Sequence, residues 1–145
     1  MDKKEFEKYL SDRYQDQISW YGEKSAWNQK RYIFFQWGII ILSSLAPILF
    51  LSDDVNEYIP VIVSVLVTIF SAASKTFKFQ ERWLEYRTTA ESLKKERYYF
   101  DFDLYEYAQS EKKEILFAQR VEALISRENT RWIEISKASV EKKEK

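Results

Sequence analysis

Residues 32–51, YIFFQWGIIILSSLAPILFL, decide how this chain folds. They carry no ionisable side chain except the phenol of Tyr32. At ~1.5 Å per residue, a helix over this run reaches roughly 30 Å, the thickness of a bilayer's hydrocarbon core. After the polar hexapeptide 52–57 comes a second apolar run, YIPVIVSVLVTIFSAAS, residues 58–74. It is a little short, but Lys75 can snorkel towards lipid headgroups and let the span continue through Thr76. Helices at the centre of a soluble bundle keep polar residues on one face, whereas both runs are apolar nearly all round. Two adjacent runs in 145 residues also leave too little protein to cover them. The expectation is a transmembrane helical hairpin. Because the first run follows 31 mostly polar residues, it is expected to act as an uncleaved insertion signal and not as a cleaved signal peptide.

The flanks set the orientation. Lys24, Lys30 and Arg31 precede the first run, and Lys75, Lys78, Arg82 and Arg87 follow the second, while the connecting loop has no Lys or Arg. The positive-inside rule places both termini in the cytoplasm of a multi-pass protein of the plasma (inner) membrane. Tyr32, Trp37 and Tyr58 are candidate interface anchors.

Working outward, residues 1–31 read as an amphipathic helix. Phe6, Leu10, Tyr14, Ile18 and Tyr21 recur at spacings of four and three. Beyond the second run, Phe79, Trp83, Tyr86, Ala90, Leu93, Arg97, Phe100 and Leu104 alternate spacings of four and three, a coiled-coil-like seam interrupted by Arg97. With no Gly or Pro between them, the second span is expected to run uninterrupted into this helix. A polar turn at residues 109–113 follows, then a third amphipathic stretch marked by Phe117, Val121, Leu124, Glu128, Trp132 and Ile135. Arg97 is expected either to pair with Asp12 or Asp16 or to snorkel out of the seam, and Glu91 with Lys95 to form an exposed i, i+4 pair.

The predicted fold is all-α: a hairpin of two transmembrane helices, extended by long amphipathic cytoplasmic helices that form a bundle. It is one domain, 1–145, with a cytoplasmic helix 1–31, spans 32–51 and 58–76, an external acidic loop 52–57, and cytoplasmic helices and tail 77–145.

Composition removes several function classes. The chain has no Cys and no His, so thiol chemistry, disulfides, the commonest general base and the commonest zinc ligands are absent. With Gly22 and Gly38 the only glycines, no phosphate-cradling loop can be written. Twenty-three basic residues balance 23 acidic ones, which offers no case for nucleic acid. No enzymatic activity, metal or cofactor is expected.

Candidate chemistry lies in the membrane block. Ser64, Thr68, Ser71 and Lys75 are spaced four, three and four apart and share one helix face with Pro60; Gln36, Ser43 and Pro47 form a weaker counterpart on the first run. Small hydroxylated residues in a bilayer either let helices approach closely or line a wet path. Packing and pore lining by Ser64, Thr68 and Ser71 both remain open. Asp53, Asp54 and Glu57 would form a carboxylate ring attracting cations if several copies gathered round an axis; alone they are a soluble turn.

The string RYQDQISWYGEKSAWNQKRY, the hairpin, FQERWLEYRTTAESLKKERYYF and the later FAQRVEALISRENTRW, taken in this order, resemble the two-transmembrane SLATT superfamily, in its bacterial branch of uncharacterised domains, over nearly the whole chain. Asp16, Gln17, Trp20, Tyr21, Trp83, Tyr86, Arg87, Glu91, Glu128 and Trp132 match the family's pattern. The resemblance implies a membrane effector that forms pores in bacterial conflict or cell-suicide systems, and it assigns these residues no role. Members linked to nucleotide sensing would imply a sensor, which this chain is expected to find, if at all, in a separate protein. Two functions compete: a homo-oligomeric pore, and a membrane-anchored scaffold whose helices bind a cytoplasmic protein partner.

Overall fold

The computed structural model describes residues 1–52 and 55–141, with side chains described for 1–52 and 55–127. Among them the chain is all-α: α1 (Lys3–Tyr9), a π-helical turn (Leu10–Tyr14), α2 (Gln15–Phe50), α3 (Tyr58–Phe77), α4 (Phe79–Asp101), a 3₁₀ turn (Tyr105–Ala108) and α5 (Lys113–Glu141). It divides into two compact units. The first holds Met1–Glu23 with Glu85–Lys145, the second Lys24–Leu84.

In the first unit, Asp2 caps α1 through a reciprocal box: its carboxylate accepts from the Glu5 amide at 2.8 Å, and Glu5 accepts from the Asp2 amide at 3.0 Å. The π turn has a simple cause. Phe6, Leu10, Tyr14 and Ile18 are spaced by four, so three intervals consume 12 residues, whereas three α-turns take about 10.8. One widened turn absorbs the surplus residue and keeps this face inward. Phe6 then packs on Phe100 and Phe117, and Tyr14 on Phe117, with ring centroids 5.0–5.8 Å apart. Around them Tyr21, Ala90, Leu93, Tyr107, Val121 and Ile125 complete a buried core that lies wholly in this unit.

The seam beyond Phe79 departs from expectation at both ends. α3 does not run on into α4, because Lys78 adopts a left-handed φ of 49° between them. Phe79 supplies the reason. It is buried, stacked on Phe35 at 5.5 Å and set edgewise to Trp27 at 6.3 Å, and one left-handed residue provides the turn this needs without a glycine. At the other end, α4 stops at Asp101, before the expected polar turn. Asp103 and Tyr105 are left-handed, and Leu104, expected on the seam, is an extended residue whose amide donates to the Tyr99 carbonyl at 3.0 Å. This early turn brings Tyr107 back against Glu96.

In the second unit, the partly covered residues of α2 recur as Tyr32, Phe35, Ile39, Leu42, Ala46 and Leu49, and on α3 the buried Pro60 is followed by the partly covered Val63, Val67, Phe70 and Ser74. Spacings of three and four on both helices are those of a supercoiled antiparallel pair. At Gly38 the helices pack tightly enough that an added Cβ would lie 2.6 Å from the Phe70 ring. Two helices are long and apolar enough to cross a membrane, and their apolar windows are 0% and 6% buried.

Candidate functional site

The hydroxyl line on α3 sits one position round from the seam. Ser64 and Thr68 are exposed and Ser71 is partly covered, while Val63, Val67 and Phe70 are partly covered, Phe70 against Phe34 and Phe35 of α2. Each outer hydroxyl turns onto its own helix: Ser64 Oγ donates to the Pro60 carbonyl at 2.9 Å, and Thr68 Oγ1 to the Ser64 carbonyl at 3.1 Å. Both bonds run from residue i to the carbonyl of residue i−4, the back-bonding typical of Ser and Thr within helices. With the proton used internally, each oxygen keeps lone pairs for an outside donor or cation. Gln36, Ser43 and Pro47 on α2 are likewise exposed and off the seam. Neither polar line is consumed by packing within the hairpin.

Where the two helices are joined, an open cavity of about 490 Å³ is lined by Leu49, Phe50, Ser52, Val55, Glu57, Tyr58, Pro60 and Val61. Glu57 is exposed at the start of α3, and the Asn56 side-chain oxygen accepts from the Tyr58 amide at 3.0 Å. Asp53 and Asp54, the other members of the expected acidic ring, lie outside the described residues.

The residues selected by the resemblance fall into separate places. Trp20, Tyr21 and Tyr86 come together in the first unit, with Trp20 edgewise to both tyrosines at 5.0 and 5.6 Å. Trp83 belongs to the second unit, stacked on Tyr32 at 6.1 Å. Its indole nitrogen and the Oδ1 of Asn28 are buried without a hydrogen-bond partner. Asp16 and Arg87 are exposed, Gln17 is partly covered, and Glu91 pairs with Lys94 at 3.0 Å, not with Lys95, which lies over the Tyr99 ring. Glu128 and Trp132 lie outside the residues with described side chains. Arg97 pairs with neither Asp12 nor Asp16: it reaches Asp101 at 2.9 Å, one turn along its own helix, with its guanidinium near the Phe100 and Phe117 rings. A partner four residues away requires no second helix to be placed correctly.

Two polar networks in the first unit have no counterpart in the sequence reading. Glu96 is buried, accepting from Tyr107 at 2.5 Å and Arg120 at 3.2 Å, and Arg120 also reaches Glu106 at 2.6 Å. Burial, then the bond to Glu96, pushes the Tyr107 phenol well above its ordinary range. Arg13 grips Glu122 through two bonds of 3.1 Å, and Tyr9 donates to the same carboxylate at 3.2 Å. That guanidinium holds Glu122 below the usual carboxylate range. Tyr14 donates to the Leu93 carbonyl at 2.9 Å, and burial raises its phenol to about 12. These groups tie the helices and turns of the first unit to one another. The available signal was Glu96 three residues beyond Leu93, on the edge of the apolar face. Among the described residues no cluster of acidic side chains is arranged to hold a metal.

A family model described as a protein of unknown function (DUF4231) matches residues 16–114. No curated protein and no solved structure matches the chain.

Proposed function

The chain belongs to this family of unknown function (DUF4231), and on that premise we propose that it is a two-span integral membrane protein that self-associates into a small pore. One observation carries the reading: the apolar windows of both long helices are left almost uncovered by the chain, while the Ser64–Thr68 stripe lies outside the hairpin's own seam. Core helices of a soluble protein are mostly covered by their own chain; here lipid covers the apolar surface and further copies cover the stripe. The flanking cations favour the plasma membrane with both termini in the cytoplasm. Resemblance to the SLATT superfamily supports a bacterial pore-forming effector.

In an assembly, the lone pairs of Ser64 and Thr68 replace part of a cation's hydration shell, and Asp53, Asp54 and Glu57 concentrate cations at the outer mouth. The test is ion flux through reconstituted vesicles, comparing the parent with the triple change Ser64→Leu, Thr68→Leu, Ser71→Leu. Loss of flux with insertion preserved is expected. A monomer in mild detergent with no flux would end the pore reading.

A second reading, an anchored scaffold for a cytoplasmic protein, draws on the first unit. Tyr98, Phe102 and Tyr105 are all more than half exposed, and the first two rings lie 4.4 Å apart. Aromatic residues displayed in this way suit a protein interface. A scaffold keeps its activity in the triple-leucine protein and loses it when these three aromatics become serine.

A further inference from the structure

At the end of the second unit opposite the connecting loop, α2, α3 and the first turn of α4 enclose an open cleft of about 360 Å³. Its lining is Tyr32, Ser74, Lys75, Lys78, Gln80 and Glu81. The volume falls within the range of small-ligand sites, about 300–1,000 Å³. The lining supplies two ammonium groups, two hydroxyls, an amide and one carboxylate. Lys78 lies 3.6 Å from Glu81, and Lys75 has no ion-pair partner among the described residues, so the cleft carries one uncompensated positive charge. The left-handed turn at Lys78 brings the residues after the break to the same cleft as those before it. The Tyr32 ring is held by stacking on Trp83 at 6.1 Å.

The cleft's level along the helices matters as much as its lining. Tyr32 opens one apolar run and Ser74 closes the other, and both line the same cleft, so the two runs end together there. Below it the exposed surface is aliphatic and aromatic, and the exposed Phe77 lies next in sequence to Lys78. An ammonium binds phosphate as a compact point charge, and hydroxyl and amide groups donate to the oxygens that remain. One excess positive charge matches a singly charged phosphodiester better than a doubly charged phosphate monoester.

We propose that this cleft binds the headgroup phosphate of an anionic glycerophospholipid in the cytoplasmic leaflet, with the acyl chains lying along the exposed apolar surface. Basic pockets where membrane helices meet the cytoplasm recognise headgroups through this combination of charge and donors. The inference rests on the membrane-spanning reading but not on the pore.

The experiment uses the full chain in an uncharged detergent and follows binding by native mass spectrometry. The probes are dioleoyl phosphatidylglycerol, dioleoylglycerol (the same chains without phosphate) and glycerol 3-phosphate. Phosphatidylglycerol is expected to remain bound where dioleoylglycerol does not. Lys75→Gln should weaken it roughly fivefold, and Lys78→Gln added to it by roughly as much again. Lys94→Gln, an exposed lysine of the first unit, should leave binding unchanged. Equal retention of the two lipids, or an equal loss in the Lys94 variant, would overturn the proposal. Binding of glycerol 3-phosphate as tight as that of phosphatidylglycerol would overturn the lipid source and assign the cleft to a soluble phosphate ester. Carbonate extraction of cell membranes separates the two levels of failure. Protein released by carbonate defeats the membrane reading itself, whereas protein retained without headgroup preference defeats only this inference.

Discussion

Phe117 in the first unit is completely covered, whereas Phe34 in the second is 65% exposed. The contrast extends to whole regions. Leu93, Phe117 and Val121 sit on helices crowded with Lys, Glu and Arg, and their own chain buries them fully. Ile41, Ile48 and Val65 sit in runs that hold no Asp, Glu, Lys or Arg, and about half or more of their surface is uncovered. Covering one such side chain is worth about 1.5–3 kcal/mol in water, so many left open would be costly there. In lipid the cost disappears, because hydrocarbon is as apolar as leucine. What each region buries thus does not follow its hydrophobicity, since the more apolar surface is the one left open.

The largest effect is expected from Phe117→Ala, which removes the ring shared by Phe6, Tyr14 and Phe100. Denaturation followed by circular dichroism in mild detergent should show a loss of about 3–5 kcal/mol, while Phe34→Ala should cost far less. Next comes Ile41→Arg, at an exposed mid-run position. In a translocation assay it should disfavour membrane insertion by about 2.5–3.5 kcal/mol, whereas an exposed arginine in a water-soluble helix would be nearly neutral. An indifferent result would mean that this position does not lie in lipid.

The two glycines offer a paired test of intermediate size. A methyl group at Gly38 meets the Phe70 ring, and one at Gly22 meets nothing within 4 Å. Gly38→Ala should therefore destabilise the hairpin by about 1–3 kcal/mol, and Gly22→Ala should stabilise its helix by about 0.5–1 kcal/mol. Opposite signs in thermal melts would confirm that one helix is packed at close range in the second unit and free at that position in the first.

The smallest effect concerns Glu122, which Arg13 holds below the ordinary value of 4.5. Its contribution is complete above pH 4.5 and is lost as pH falls through the lowered folded value. Wild-type melting temperature should thus fall more steeply with acid than that of Glu122→Gln. The pair is half exposed, so the difference should be slight.

Much of this architecture was legible beforehand, for reasons that differ by residue. The runs at 32–51 and 58–74 needed only length and the absence of charge, and helices cover them at Gln15–Phe50 and Tyr58–Phe77. Phe6, Tyr14, Tyr21, Ala90 and Leu93 declared themselves by spacing and are buried. The break at Lys78 was invisible because the sequence holds no glycine or proline there; burial of Phe79 against Phe35 and Trp27 pays for a lysine at φ 49°. The Arg97 pairing was misplaced because guanidinium reach allows several partners, and the nearest, on its own helix, costs least order. For the candidate site, spacing alone put Ser64, Thr68 and Ser71 on one face. That this face lies beside the hairpin contact required knowing which side of α3 meets α2.

Composition and spacing are enough to establish that the chain is helical, where its apolar runs begin and end, and which flanks carry the positive charge. These follow from local quantities: length, periodicity and charge, each summed over neighbours in the chain. Only the tertiary structure decided that Glu96 joins Tyr107 and Arg120, that Arg13 meets Glu122 across 109 residues, and that Tyr32, Ser74 and Lys78 line one cleft. Those arrangements depend on helix rotation and on turns at single residues such as Lys78 and Asp103, whose switch to a left-handed φ redirects the chain after them. Local pattern cannot encode that, because the energy that selects the turn comes from contacts made far along the chain.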